Sequence, residues 1–255
     1  MSKAALLIGI NYIFDSQNRL NGCCNDVINM GNLLVSKFGF PKDKVTIIAD
    51  TQSRYVPETF RESIIIKLYD FALKSWQENL EVAYFHFSGH GTQTPDVNKD
   101  EKDAYDEGIC PSDFATNGII IDDQLLKIFS QFNPKTTLIL VFDCCHSGSI
   151  MDLPYEYSEE SIKQLNHKLD TQLRIPKIIM LSGCMDSQTS EDAFNTQTRQ
   201  FGGALSMCLL RVLQEEIVEV PQLYEKIINY VKQGGYSQRP ILSSSFPIKS
   251  QTMLL

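Results

Sequence analysis

The amino-acid sequence predicts an α/β fold, a mostly parallel central sheet with helices on both faces. Two observations carry this prediction. Short, nearly continuous apolar runs rich in β-branched and aromatic residues recur along the chain, as strands buried on both faces of a parallel sheet do. Stretches with helical spacing lie between them, the alternation that marks βαβ units.

The first run, residues 4–10, follows Met1-Ser2-Lys3. One lysine before an apolar run has some likeness to a signal peptide, but no small-residue cleavage site follows, so it is assigned as a buried first strand. Residues 26–38 have helical spacing and residues 45–49 form the second run. Residues 57–78 open on Pro57, which suits a first helical turn, and precede the run 82–87. A helix over 123–132 leads to the run 137–142, and the run 177–181 follows. Helices over 202–216 and 221–234 and a strand-like run over 240–248 complete the chain. Residues 92–113 are polar and acidic without periodicity, and 154–174 are rich in Glu, Lys and Gln, so both are expected to be long loops of the functional kind. No repeat or low-complexity tract is visible. The organisation expected is a first region over 1–153, a flexible linker over 154–175, and a region over 176–255 that completes the same sheet.

Composition narrows the function classes. The chain has 255 residues, enough for one large domain. Its net charge of −8 argues against nucleic acid and anionic membranes as main partners. No apolar run approaches the roughly 18 residues that span a bilayer. The seven cysteines are an odd number and include two adjacent pairs, Cys23-Cys24 and Cys144-Cys145, which points to reduced thiols and a cytoplasmic location. A monomer is expected, partly because no exposed apolar strip is evident.

Open α/β sheets bind substrates beyond the carboxyl ends of their strands. The run 82–87 leads into Ser88-Gly89-His90-Gly91, and the run 137–142 into Asp143-Cys144-Cys145-His146-Ser147-Gly148. On neighbouring parallel strands, His90 and Cys145 would emerge together. An imidazole takes the proton of a thiol, and the thiolate is a nucleophile suited to acyl transfer through a thioester. A zinc site at Cys144-Cys145-His146 is set aside, because adjacent residues at a strand end point in different directions.

These segments resemble the two catalytic motifs of metacaspases, caspase-like cysteine peptidases. The 55 positions between His90 and Cys145 are close to the roughly 50 between the caspase histidine and cysteine, but the caspase pentapeptide Gln-Ala-Cys-x-Gly is absent. Leu20-Asn21-Gly22-Cys23, Asn25-Asp26, Tyr105-Asp106-Glu107, Pro111-Ser112-Asp113-Phe114, Ile120-Ile121-Asp122-Asp123, Asp152-Leu153-Pro154-Tyr155 and Leu181-Ser182-Gly183-Cys184-Met185-Asp186-Ser187-Gln188-Thr189-Ser190 resemble metacaspase segments in the same order.

The resemblance implies a caspase-like sandwich and a calcium-dependent endopeptidase that cuts after Arg or Lys. It makes Cys145 the nucleophile and His90 the general base or acid, with the backbone amides of Gly91 and Cys145 as oxyanion hole. Cys144 fills a position where many members have serine. Asp26 and Asp143 would line an acidic pocket for the residue before the cut, with Cys23 and Ser88 as further lining. Two partly desolvated carboxylates favour arginine, then lysine.

The acidic stretch 96–107 places Asp96, Asn98, Asp100 and Glu107 at EF-hand positions 1, 3, 5 and 12, but Glu101 stands where glycine is needed, and no clear helices flank it. The resemblance implies a different calcium site, at Asp106, Asp122, Asp123 and Asp152, with Asp103 close to the first of these. Its effect is expected to be ordering of loops. Lys163, Lys168 and Arg174 in the 154–174 segment make self-cleavage there an expectation. A non-proteolytic caspase-like scaffold and a hydrolase using the same dyad on another amide are the alternative functions. Protein or peptide substrates are the expected partners.

Overall fold

The computed structural model describes residues 1–51, 56–95, 105–144, 150–151, 153–157, 162–164, 175–183, 192–195, 200–236 and 238–255. Its strands in chain order are β1 (Lys3–Gly9), β2 (Val45–Ala49), β3 (Val82–Ser88), β4 (Gly91–Pro95), β5 (Tyr105–Ile109), β6 (Ile120–Ile121), β7 (Thr137–Asp143), β8 (Tyr155–Tyr157), β9 (Ile162–Gln164), β10 (Lys177–Ser182), β11 (Asp192–Asn195), β12 (Gln200–Gly203) and β13 (Ile241–Ser244). The helices are α1 (Cys23–Phe38), α2 (Arg61–Gln77), α3 (Phe114–Asn117), α4 (Asp122–Phe129), α5 (Ala204–Gln214) and α6 (Val220–Gln233).

Eight strands form the central sheet in the order β2-β1-β3-β7-β10-β13-β8-β9. The first five are parallel, and β13, β8 and β9 each pair antiparallel to the preceding strand in that order. The period of two then sorts side chains between two cores. Ile8, Phe85, Phe87, Leu140 and Phe142 pack toward α2 and α4, while Leu7, Tyr84, Val141 and Leu181 pack toward α1, α5 and α6. This is the α/β sandwich expected, with helices on both faces.

Gly9 closes β1 where α1 crosses it. A Cβ at Gly9 would lie 2.4 Å from the Cys23 carbonyl oxygen, so only glycine lets the first turn of α1 sit directly on the carboxyl end of the sheet. α1 ends at Gly39, in the left-handed region at φ 68°.

Several features differ from the sequence expectation. Residues 91–95 and 105–109 form an antiparallel hairpin, joined by β6, where a loop is expected; Gly91–Pro95 has no large apolar side chain and β5 carries Asp106 and Glu107, so neither reads as an apolar strand. Residues 155–157 and 162–164 fall inside the expected linker yet extend the central sheet, with Tyr157 buried as β8 covers the edge of β13. The final strand is shorter, 241–244. α2 also exposes Ile66, Tyr69, Leu73 and Trp76 along one side, although no exposed apolar strip is expected from the sequence. Their spacing puts them on one face beside the buried Leu68 and Ala72, where a wider apolar arc reads as core alone. Among the described residues, no helix is long and apolar enough to cross a membrane.

Candidate active site

The carboxyl ends of β1, β3 and β7 lie side by side. Gly9 pairs with Ser88, and Ser88 with Asp143. All three lie on the α1–α5 face of the sheet, by strict alternation from Leu7, Tyr84 and Val141. The first turn of α1 adds Asp26 above them. Ser88 Oγ donates to Asp26 Oδ2 at 2.7 Å.

The N-terminus of α5 covers these residues. Gly203 is its N-cap, and its N–H donates to Asp26 Oδ2 at 3.0 Å. The Ser206 N–H donates to Asp143 Oδ2 at 2.8 Å. Two carboxylates from other elements thus satisfy helix-end N–H groups that have no partner within the helix. Asp26 and Asp143 are both buried, at 2% and 3% exposure. Gly202 and Gly203 are needed here, since a Cβ would lie 2.7 Å from Asp26 Oδ1 or 2.0 Å from Asp143 Oδ2 respectively. Cys23, buried, begins α1 one turn before Asp26. The structure therefore brings Asp26, Asp143, Ser88 and Cys23 to one end of the sheet.

One layer deeper, His86 stands on the same face, between Leu7 and Val141 in register. It is fully buried, with Nε2 3.0 Å from Ser206 Oγ, and burial lowers its pKa from 6.5 to about 3. The sequence carries a signal for it, a lone polar ring inside the apolar run Val82-Ala83-Tyr84-Phe85-His86-Phe87, which sequence reasoning passed over.

His90 follows β3 by two residues. Its Nε2 lies 2.7 Å from the Asn18 carbonyl oxygen. A carbonyl only accepts, so Nε2 carries the hydrogen, and Nδ1 is the acceptor of the neutral ring. The ring lies against Tyr12, with centroids 4.7 Å apart. Tyr12 and Asn18 were not singled out from the sequence. A backbone carbonyl has no sequence signature, and Tyr12 is an ordinary residue until its neighbours are known.

Gly91 pairs with Ile109, and the Cys110 N–H donates to the His90 carbonyl at 2.9 Å. That pattern makes Gly91–Ile109 a non-hydrogen-bonded pair, which directs the Gly91 N–H away from β5. Cys144 is buried on the α2–α4 face, the opposite face from Asp143. Cys145 and Asp152 lie outside the described residues. None of the described cysteines Cys23, Cys24, Cys110, Cys144 and Cys208 is in a disulfide.

The acids of β5 and α4 form a second polar cluster. Asp106, Glu107 and Asp122 are buried, and Asp122 accepts N–H groups from Glu107 at 3.1 Å and from Asp123 at 2.8 Å. Burial, with Glu107 and Asp106 nearby, raises the Asp122 carboxyl to about 7. Buried carboxyl oxygens are the donor type that a hard cation takes. Among the described residues, however, no three acidic, histidine or cysteine side chains gather closely enough to hold a metal.

A mostly parallel sheet with a histidine after one strand and a cysteine after its neighbour defines a caspase-like protein, of the class of cysteine endopeptidases. The family profile described as metacaspase, peptidase C14 domain, matches residues 3–154. Metacaspase-1B of Aspergillus oryzae is 32% identical over 301 residues, covering 99% of this chain and 70% of that protein. Metacaspase-1A of Aspergillus terreus is 33% identical over 294 residues, covering 96% and 71%. A solved structure of a protein from Geobacter sulfurreducens shares the fold at a TM-score of 0.67 and 22% identity, covering 100% of both chains. This chain belongs to the metacaspase family and is a cysteine endopeptidase.

Proposed function

We propose that this metacaspase cuts peptide bonds after Arg or Lys, using Cys145 as nucleophile and His90 as base, with calcium as an activator. The observation that carries the specificity is the convergence of Asp26 and Asp143, two buried carboxylates, on the N-terminus of α5 close to His90. A pocket opened between these carboxylates would attract a cation and repel aspartate, and the planar guanidinium matches carboxylates best.

His90 supplies the base. With the Nε2 hydrogen committed to the Asn18 carbonyl, Nδ1 takes the Cys145 thiol proton. The thiolate attacks the carbonyl carbon, and the oxyanion is met by the N–H of Gly91 and that of Cys145. Collapse breaks the C–N bond, and His90 returns its proton to the leaving amine. Water, deprotonated by the same ring, then hydrolyses the thioester and restores the thiol.

Calcium would be held by Asp106, Asp122, Asp123 and Asp152; the three of these that are described do not gather around one point, so binding would have to draw them together. Their chemistry suits it, and it would order the loops beside the nucleophile. No step of the reaction is routed through it. Self-cleavage between the two halves belongs to the same proposal. Lys163 lies in β9, paired with Glu156, which disfavours a cut there, while Lys168 and Arg174 lie outside the described residues. A monomer in the cytoplasm is the assembly and location proposed.

The test is hydrolysis of a fluorogenic Arg-peptide with calcium or with chelator, for the wild type and for Cys145→Ala. Calcium-dependent turnover that the Ala variant lacks while keeping its fold supports the proposal. Preference for aspartate before the cut overturns the pocket assignment, unchanged rates in chelator overturn the calcium role, and a cellular function that survives Cys145→Ala points to a scaffold.

A further inference from the structure

Tyr12, between β1 and α1, breaks three local rules at once. It is a bulky residue in the left-handed region, at φ 53°, where strain is tolerated mainly at functional sites. Its ring is buried, at 2% exposure. Its hydroxyl replaces a bond of the β4–β5 hairpin.

His90 and Cys110 face each other just before the first pair of that hairpin, Gly91–Ile109. A hydrogen-bonded pair at this position would exchange two backbone bonds. One is made, from the Cys110 N–H to the His90 carbonyl at 2.9 Å. In place of the other, Tyr12 Oη accepts from the His90 N–H at 2.8 Å and donates to the Cys110 carbonyl at 2.7 Å. Burial raises the phenol pKa well above 10, so the hydroxyl keeps the hydrogen it donates. The Tyr12 ring meanwhile lies against the imidazole at 4.7 Å, and Asn18, six residues on, takes its Nε2–H.

We infer that Tyr12 is a positioning residue for the catalytic base: its hydroxyl fixes the backbone of His90 and its ring, with the Asn18 carbonyl, fixes the imidazole so that Nδ1 is presented for proton exchange. The inference rests on the dyad part of the proposed function and is independent of the Arg/Lys pocket. A merely structural tyrosine would contribute to folding alone. A positioning residue acts on turnover and on the thiol, because small displacements of a reacting group cost large factors in rate.

Two readouts on the full chain with calcium test this. One is kcat and KM on the Arg-peptide. The other is the pH profile of Cys145 alkylation by iodoacetamide, followed by mass spectrometry of the Cys145 peptide. Tyr12→Phe keeps the ring and removes only the bridge. Its kcat is expected to fall about tenfold with KM within about twofold, as an equal loss in kcat and kcat/KM marks an interaction used in the transition state. Its alkylation midpoint should move up toward the roughly 8.5 of a free thiol. A folded Tyr12→Phe protein with wild-type kcat and an unmoved alkylation profile overturns the inference. If Tyr12→Phe does not fold, Tyr12→Gln, whose amide both donates and accepts, is compared with Tyr12→Leu. Higher kcat for Gln supports the bridge, and equal kcat overturns it. An inactive wild type with an ordinary Cys145 thiol overturns the dyad itself, whereas an active wild type with an unaffected Tyr12→Phe overturns only the role of Tyr12.

Discussion

Adding one methyl group at Gly203 should disable the proposed Arg/Lys pocket without touching any proposed reacting atom. Gly203 has φ −68° and ψ 141°, a conformation open to any residue, so alanine there strains no backbone. The new Cβ would instead lie 2.0 Å from Asp143 Oδ2 and 2.4 Å from Cγ, well inside contact distance. The carboxylate has to turn away, and the bond from the Ser206 N–H at 2.8 Å is lost. The displaced carboxylate then no longer meets the substrate guanidinium, and a hydrogen bond to a charged group contributes about 1.5–3 kcal/mol. At about 1.4 kcal/mol per tenfold, kcat/KM on an Arg-peptide should fall about 10- to 150-fold. The assay is initial rates on Arg-peptides with calcium, paired with a thermal melt to show that the variant is folded. A folded Gly203→Ala protein with kcat/KM within about twofold of wild type would refute the assignment of Asp143 to substrate recognition.

Two further predictions concern stability. His86 titrates near 6.5 when unfolded and near 3 when folded. Its folded pKa is depressed, so the associated stability is present above pH 6.5 and is lost as pH falls toward 3. Between pH 7 and pH 5 this amounts to about 2 kcal/mol, at about 1.36 kcal/mol per pH unit; urea unfolding of His86→Phe should show a pH dependence smaller by that amount, and an unchanged dependence would show that His86 is not buried neutral. Gly9→Ala places a Cβ 2.4 Å from the Cys23 carbonyl oxygen and should cost about 1–3 kcal/mol by pushing α1 off the sheet. Unfolding free energy in urea checks this, and an unaltered midpoint would contradict the close approach of α1.

The parallel strands were legible because each is a continuous apolar run buried on both faces. Ser88, His90 and Asp143 were legible with them, since a strand end and its flanking glycines stand out against such runs. The hairpin 91–109 was not, because Thr92, Gln93, Asp106 and Glu107 carry polar side chains in strands that lie outside the core sheet. The contacts of Asp26 and Asp143 with Gly203 and Ser206 were also hidden. They join residues up to 177 positions apart in the chain, through backbone N–H groups that every residue possesses. Tyr12 and Asn18 act on His90 from 78 and 72 positions away, likewise through a hydroxyl-to-backbone bridge and a bare carbonyl.

The clamp that Asp26 and Asp143 form on α5 also imposes an order of assembly. A ribosome that has released only the first 150 residues has delivered both carboxylates, but not the helix end that holds them. Until α5 docks, neither carboxylate has the N–H partner that this helix end supplies. On the proposed function, selectivity would therefore arrive with the last third of the chain, later than the histidine and the thiol, and a truncated product would carry the proposed dyad without the means to choose its target.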